Sequence, residues 1–146
     1  MTTEEENIDK PINDMLFNYQ LIEVELLDFE ICSKRAFKLD ALGFEIGVTH
    51  NISQTGVLKV EVKVSIIEND YSLSSITIAC VFKLDNYNEW LSLKGFEVGV
   101  LPSQFANLVN GISISTLRGV MFTKLQNTFL SSVILPIVTL STLEAE

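Results

Sequence analysis

Hydrophobic and polar residues alternate one for one along most of the chain between residues 14 and 86. The plainest alternation lies at 58–66 and 76–84, where every second residue is aliphatic, aromatic or cysteine. This pattern is typical of β-strands that bury one face. Turn-forming residues at 51–56 and 68–72 predict short connections before and after the first of these two strands.

Two further strands are longer, and their alternation slips by one position. In the first, apolar side chains occupy even positions up to Leu26 and odd positions from Leu27 to Ile31. In the second, which begins at Phe37, the slip lies near Ala41. A β-bulge restores the register after such a slip and bends the strand. We therefore expect a curved, four-stranded antiparallel sheet.

The period changes to about 3.6 residues between Pro102 and Leu125, which predicts a helix about 35 Å long. Strands followed by a helix indicate the α+β class, with the sheet packed against one long C-terminal helix. Gly111, Ser115 and Gly119 recur at intervals of four along it. They predict either close packing of a second copy, hence a homo-oligomer, or a locally weak helix.

The connection between sheet and helix, residues 87–101, is unusually apolar for a surface loop. One interpretation is a crossover anchored by burial of its large side chains. The other is a rim of apolar groups left exposed for a ligand. The side chains concerned are Tyr87, Trp90, Leu91, Phe96 and Val98.

Composition sets the broad class. Apolar residues make up 47% of the 146 positions, and the net charge of −9 excludes nucleic-acid binding through a basic face. We expect an acidic flexible tail at 1–13 and a single domain at 14–146. The N-terminus lacks the features of a secretory signal, and the longest apolar run, 129–140, is too short for a membrane span, so a cytoplasmic location is expected.

Recognisable catalytic or metal-binding spacing is absent from the sequence. His50 is the only histidine, and Cys32 and Cys80 both lie in apolar stretches that predict buried thiols. Neither a nucleophile elbow nor a phosphate-binding loop occurs. We therefore expect no enzymatic activity, no metal and no cofactor.

The C-terminal half resembles the SecB family of protein-export chaperones. The residues that carry the likeness are the Arg118-Gly119 stretch after a Ser/Thr-rich run and the Leu135-Pro136 stretch before a final apolar segment. Further likeness lies in the acidic strand motif at 27–30, the strand at 81–84 and the Leu101-Pro102 entry to the helix. The resemblance spans about residues 14–143.

The resemblance implies an ATP-independent holdase that binds unfolded or precursor chains in an apolar groove, assembled as a dimer or a dimer of dimers. By family analogy, the groove comprises Tyr87, Trp90, Leu91, Phe96, Val98 and Phe105. An acidic face for a basic site of the export motor comprises Glu25, Asp28, Glu30 and Asp70. The spacing of Gly111, Ser115 and Gly119, independently of the resemblance, makes them the expected oligomer interface.

The chain departs from the family after residue 141, where a helix start is followed by only a few residues. The family's second helix is therefore expected to be vestigial or absent, and with it part of the export-motor contact. Divergent SecB-like proteins also serve antitoxins of toxin–antitoxin systems, so the partner is either an export motor or an antitoxin. The alternative function is a non-chaperone interaction or scaffold module on the same fold.

Overall fold

The computed structural model describes residues 18–32, 34–85, 87–88 and 101–137. The expected N-terminal tail lies outside them, as does the segment expected to hold the vestigial second helix. Four strands, a short 3-10 helix and one α-helix follow in chain order: β1 (Tyr19–Ile31), the 3-10 helix (Leu39–Ala41), β2 (Leu42–Ile52), β3 (Val57–Glu68), β4 (Tyr71–Leu84) and α1 (Ser103–Lys124).

The four strands form one antiparallel sheet in the order β1-β4-β3-β2. Strands β2, β3 and β4 follow one another as hairpins, whereas β1 lies beside β4 at the far edge. Asn69 and Asp70 turn the chain between β3 and β4, and both have positive φ angles. Asn and Asp tolerate this conformation, and the short turn confirms the prediction for 68–72.

The predicted bulge in the first strand is confirmed. The register of β1 against β4 shifts between Leu26 and Asp28, and a second shift lies between Leu21 and Glu23. The prediction that the second strand begins at Phe37 is wrong. Residues 39–41 form a 3-10 turn, closed by a hydrogen bond from the Ala41 N–H to the Lys38 carbonyl, and β2 begins at Leu42.

The core lies between one face of the sheet and α1, whose sheet contacts are concentrated on β3 and β4. Alternate apolar residues of β3 and β4 are buried on that face, as the alternation predicts. On α1 the buried apolar side chains lie on one stripe: Phe105, Val109, Ile114, Leu117 and Met121. Each fully buried aliphatic or aromatic side chain contributes about 1.5–3 kcal/mol.

The two stretches that carry the SecB resemblance contact each other. The Arg118 side chain donates hydrogen bonds from Nε to the Leu135 carbonyl (2.9 Å) and from Nη2 to the Pro136 carbonyl (3.0 Å). Leu130, Val133 and Leu135 are buried against the core. The chain after α1 is therefore held against the helix from which it emerges.

Gly56 occupies a position that only glycine satisfies, because its φ is +86° and a Cβ there would lie 2.9 Å from the Leu84 carbonyl oxygen. Gly56→Ala is expected to lower the free energy of unfolding by about 2 kcal/mol or more. Gly47→Ala is the matched control, since a Cβ at Gly47 meets nothing within 4 Å. Urea unfolding of both variants checks the expectation, and equal midpoints would contradict it.

Candidate polypeptide-binding surface

The register of β1 against β4 determines which β1 side chains lie on the helix side of the sheet. Residues directly opposite each other in an antiparallel pair point to the same face. The even-numbered residues of β4 from 76 to 84 are buried beneath α1. Their β1 partners, which share that face, are Tyr19, Leu21, Val24, Leu26 and Phe29.

Three of these side chains remain exposed although they lie on the core side of the sheet. Leu21, Val24 and Leu26 are 40%, 44% and 42% exposed, whereas the residues opposite them on β4 are completely buried. The difference arises because α1 packs mainly on β3 and β4 and contacts β1 at its ends, through Phe105 on Tyr19 and Lys124 over Phe29. We name Leu21, Val24 and Leu26 the β1 strip.

The two bulges enlarge this apolar surface. Ile22 and Leu27 are the residues at the register shifts, and they are 52% and 38% exposed. A bulged residue stands outside the ladder of paired positions, so its side chain is not confined to the alternation of its neighbours. Five large apolar side chains within seven residues therefore meet solvent along one strand.

Aromatic side chains lie at the two ends of the β1 strip. The Tyr19 ring packs edge-to-face on Phe105 with centroids 5.2 Å apart, near the start of α1. At the other end, the Lys124 ammonium lies 5.5 Å from the centre of the Phe29 ring. From Tyr19 to Phe29 the strand extends about 30 Å, which suits an extended segment of similar length.

The backbone of β1 offers a second kind of binding group. Among the described strands, β1 pairs only with β4, so its other edge has no strand beside it. An edge strand presents unpaired N–H and C=O groups at which an extended peptide adds as a further strand. Apolar side chains and unpaired backbone thus lie along the same strand.

The opposite face of β1 is acidic. Glu25, Asp28 and Glu30 lie opposite Ala79, Thr77 and Ser75 of β4, away from the helix, and are exposed. The structure brings these three predicted residues into one row, with Asp70 separate in the β3–β4 turn. Glu23 continues the row and was missed, although its alternation with Ile22 and Val24 is visible in the sequence.

Two of the residues that were expected to line a groove beside the connection between sheet and helix are buried in the structure. Tyr87 and Phe105 are buried, at 3% and 0% exposure, so both belong to the core and neither forms an exposed wall. Trp90, Leu91, Phe96 and Val98 lie outside the described residues. The exposed strip on β1 was missed because its alternation is that of any half-buried strand, and the alternation carries no signal that the helix stops short of it.

The small residues of α1 border a shallow cleft of about 640 Å³. Gly111 and Ser115 line it together with Leu108, Ile112 and neighbouring polar residues. Gly119 lies beyond this lining, and a Cβ there would meet nothing within 4 Å. The helix therefore has an open face with low relief, on which another helix could approach closely.

The histidine and the two cysteines have structural surroundings. His50 hydrogen-bonds the Asn110 side chain and so ties β2 to α1. Cys80 is buried as predicted; burial raises the pKa of its thiol, and the Ser113 and Thr116 hydroxyls act against that rise. Cys32 is exposed, contrary to prediction, because β1 ends at Ile31.

Among residues 18–32, 34–85, 87–88 and 101–137, no group of three or more His, Cys, Asp or Glu side chains is placed to hold a metal ion. The helix within that part of the chain is not apolar enough over a sufficient length to cross a membrane.

No protein-family model and no curated protein sequence matches the chain. Among solved structures, it is similar to the SecB-like chaperone Rv1957 of Mycobacterium tuberculosis in complex with a ChAD peptide from the Rv1956 HigA1 antitoxin. The TM-score is 0.58 at 14% sequence identity, and the match covers 83% of this chain and 90% of that chain. The likeness establishes the fold: an α+β arrangement of a four-stranded antiparallel sheet with one long helix.

Proposed function

We propose that this chain is a SecB-like holdase that keeps non-native polypeptide extended along β1. The observation that carries the proposal is the exposure of Leu21, Val24 and Leu26 on the side of the sheet that is otherwise buried core. Soluble proteins rarely leave such a surface open unless it binds something. The edge position of β1 supports an extended ligand.

The mechanism uses two interactions that every unfolded chain can make. Apolar client side chains cover the strip and gain about 25 cal/mol for each Å² of apolar surface removed from water. The client backbone pairs with the outer edge of β1, where none of the described strands lies, and this pairing requires no particular sequence. Neither interaction needs nucleotide hydrolysis or a metal. Contacts without placed polar groups select clients weakly, as a general chaperone requires.

Two partner classes follow from the surfaces of the sheet. The structurally similar chaperone was solved with an antitoxin peptide, which supports an antitoxin as one client of this chain. The acidic row Glu25, Asp28 and Glu30, with Asp70 in the adjoining turn, supports docking of a basic partner such as an export motor. We place both interactions in the cytoplasm.

We further propose that the chain assembles as a dimer or a dimer of dimers through the open face of α1. The support is the low relief at Gly111, Ser115 and Gly119, which lets a second helix approach closely. Several binding strips on one particle would raise the avidity for a long client through effective concentration.

A light-scattering assay with a chemically denatured, aggregating client tests the holdase. The parent chain is expected to suppress aggregation at concentrations near that of the client, and added ATP is expected to change nothing. The same client in its native fold serves as the control and should not bind. Absence of suppression, together with one stoichiometric partner in a pull-down, would favour the scaffold module instead.

A further inference from the structure

A cleft of about 490 Å³ lies at the end of the sheet where β1 leads towards β2. Its lining combines Lys34 and Arg35 with Ala36, Phe37 and Phe129. Phe37 and Phe129 pack edge-to-face with centroids 5.8 Å apart and form the apolar wall. The cleft thus joins two cations to an aromatic surface, outside the β1 strip.

The Arg35 side chain is held in place by two neighbours. Its Nε lies 3.8 Å from Oε1 of Glu68, a carboxylate that is almost completely buried. Its guanidinium stacks over the Tyr71 ring at 4.4 Å from the centroid. Glu68 also accepts a hydrogen bond from the Lys38 N–H at 3.0 Å, which anchors the cleft segment to the end of β3. A positioned guanidinium loses less entropy when it binds an anion.

The charge of the cleft is opposite to that of the whole protein. Three of the ten Lys and Arg residues fall within positions 34–38, and none of the described residues that line the cleft is acidic, although Glu68 contacts Arg35. The chain carries a net charge of −9, which repels an acidic ligand at long range. Carboxylates farther away than the Debye length, about 8 Å at physiological salt, are screened, whereas Glu68 beside Arg35 and Glu30 near the end of β1 lie close to the cleft segment. An anion in the cleft therefore meets Lys34 and Arg35 at short range, and Glu68 offsets part of the Arg35 charge.

We propose that this cleft is a second peptide site, specific for a segment in which a carboxylate lies two residues from a large apolar side chain. That spacing puts both groups on the same side of an extended chain. The carboxylate pairs with Lys34 and Arg35, and the apolar side chain packs on Phe37 and Phe129. This proposal rests on the proposed holdase function, because the segment that binds the cleft is part of the client polypeptide.

NMR titration of the full chain with the blocked peptide acetyl-GSFTESG-amide tests the site. Saturable shifts are expected at the amides of residues 34–38, and affinity should fall as salt is raised. Replacing the glutamate of the peptide by glutamine, or its phenylalanine by alanine, is expected to weaken binding about fivefold. Equal affinity for the glutamine peptide would overturn the proposal.

Lys34→Glu is expected to weaken the acidic peptide about fivefold or more. Lys83→Glu is the matched control, because Lys83 is also exposed and lies at the opposite end of β4. The control should bind as the parent does. An equal loss of peptide affinity in both variants would mean that the effect comes from the net charge of the protein, and the proposed site would be wrong. An absence of peptide binding by the parent would also overturn it, including the case in which the chain's own acidic residues at 4–6 fill the cleft.

The aggregation assay separates failure of this site from failure of the holdase. If the parent suppresses client aggregation but Lys34→Glu leaves the peptide affinity unchanged, the second site is overturned and the holdase stands. If the acidic peptide binds with the expected dependence on Lys34 but aggregation is not suppressed, the cleft is supported as a peptide site and the holdase fails.

Discussion

Replacing Leu21, Val24 and Leu26 together by threonine is expected to abolish the suppression of client aggregation. Each side chain is about two-fifths exposed, so its cover by a client contributes about 1 kcal/mol. Loss of three such contributions weakens binding about 150-fold. Threonine keeps the strand preference of β1, because its β-branched side chain suits a pleated strand. Light scattering with the denatured client measures the loss, and circular dichroism confirms that the variant is folded.

A matched triple variant separates the β1 strip from exposed apolar surface in general. Leu39, Val57 and Ile134 are 59%, 37% and 59% exposed, and all three lie off the strip. Their joint replacement by threonine removes a comparable apolar area. This control is expected to suppress aggregation as the parent does. If both triple variants lose activity equally, the client does not bind along β1 and the proposed site is wrong.

The sheet and the helix were predictable because their residues meet the same environment throughout each element. The alternation in β3 and β4 is regular because both strands lie beneath α1 and between two neighbours. The period of α1 follows its single buried stripe. The slip at Leu27 was readable as a bulge, since a change of parity has few other structural causes.

The candidate site was less predictable, because exposure depends on where separate elements come to lie. Val24 and Cys80 face each other in the sheet and carry similar sequence signals, yet one is exposed and the other buried. Two features distinguish them: α1 lies mainly over β3 and β4, and β4 lies between two strands whereas β1 is at the edge of the sheet. Phe105 was ambiguous in the sequence, because a large aromatic at a helix start fits both a groove wall and a core; in the structure its ring packs against Tyr19 and is buried.

The start of β2 was misplaced because local turn chemistry overrode the alternation. Lys38 donates its N–H to Glu68 and accepts one from Ala41, so the chain turns before the strand begins. Phe37 is then free to pack on Phe129 instead of lying in the sheet. The same turn forms the cleft. Because the cleft depends on this turn, the basic residues at 34–38 did not indicate a binding site in the sequence.

Phe82→Ala is expected to lower the free energy of unfolding by about 3–5 kcal/mol. Phe82 is completely buried on β4, and its ring centroid lies 6.2 Å from that of Tyr19. The loss is a large share of the 5–15 kcal/mol typical of a domain. Phe122→Ala on α1 removes the same atoms from a ring that is 51% exposed, and is expected to change the free energy of unfolding by less than about 1 kcal/mol.

Urea unfolding of the two phenylalanine variants compares the interior directly with the surface. A large loss for Phe82→Ala alone means that the buried side chains supply the stability, so the exposed side chains Leu21, Val24 and Leu26 are not needed to hold the fold. That separation is what a holdase requires, because the surface that binds clients cannot also be the surface that closes the core. Similar losses for both variants would mean that exposed apolar residues contribute to the fold, and the argument for an unoccupied client strip would fail.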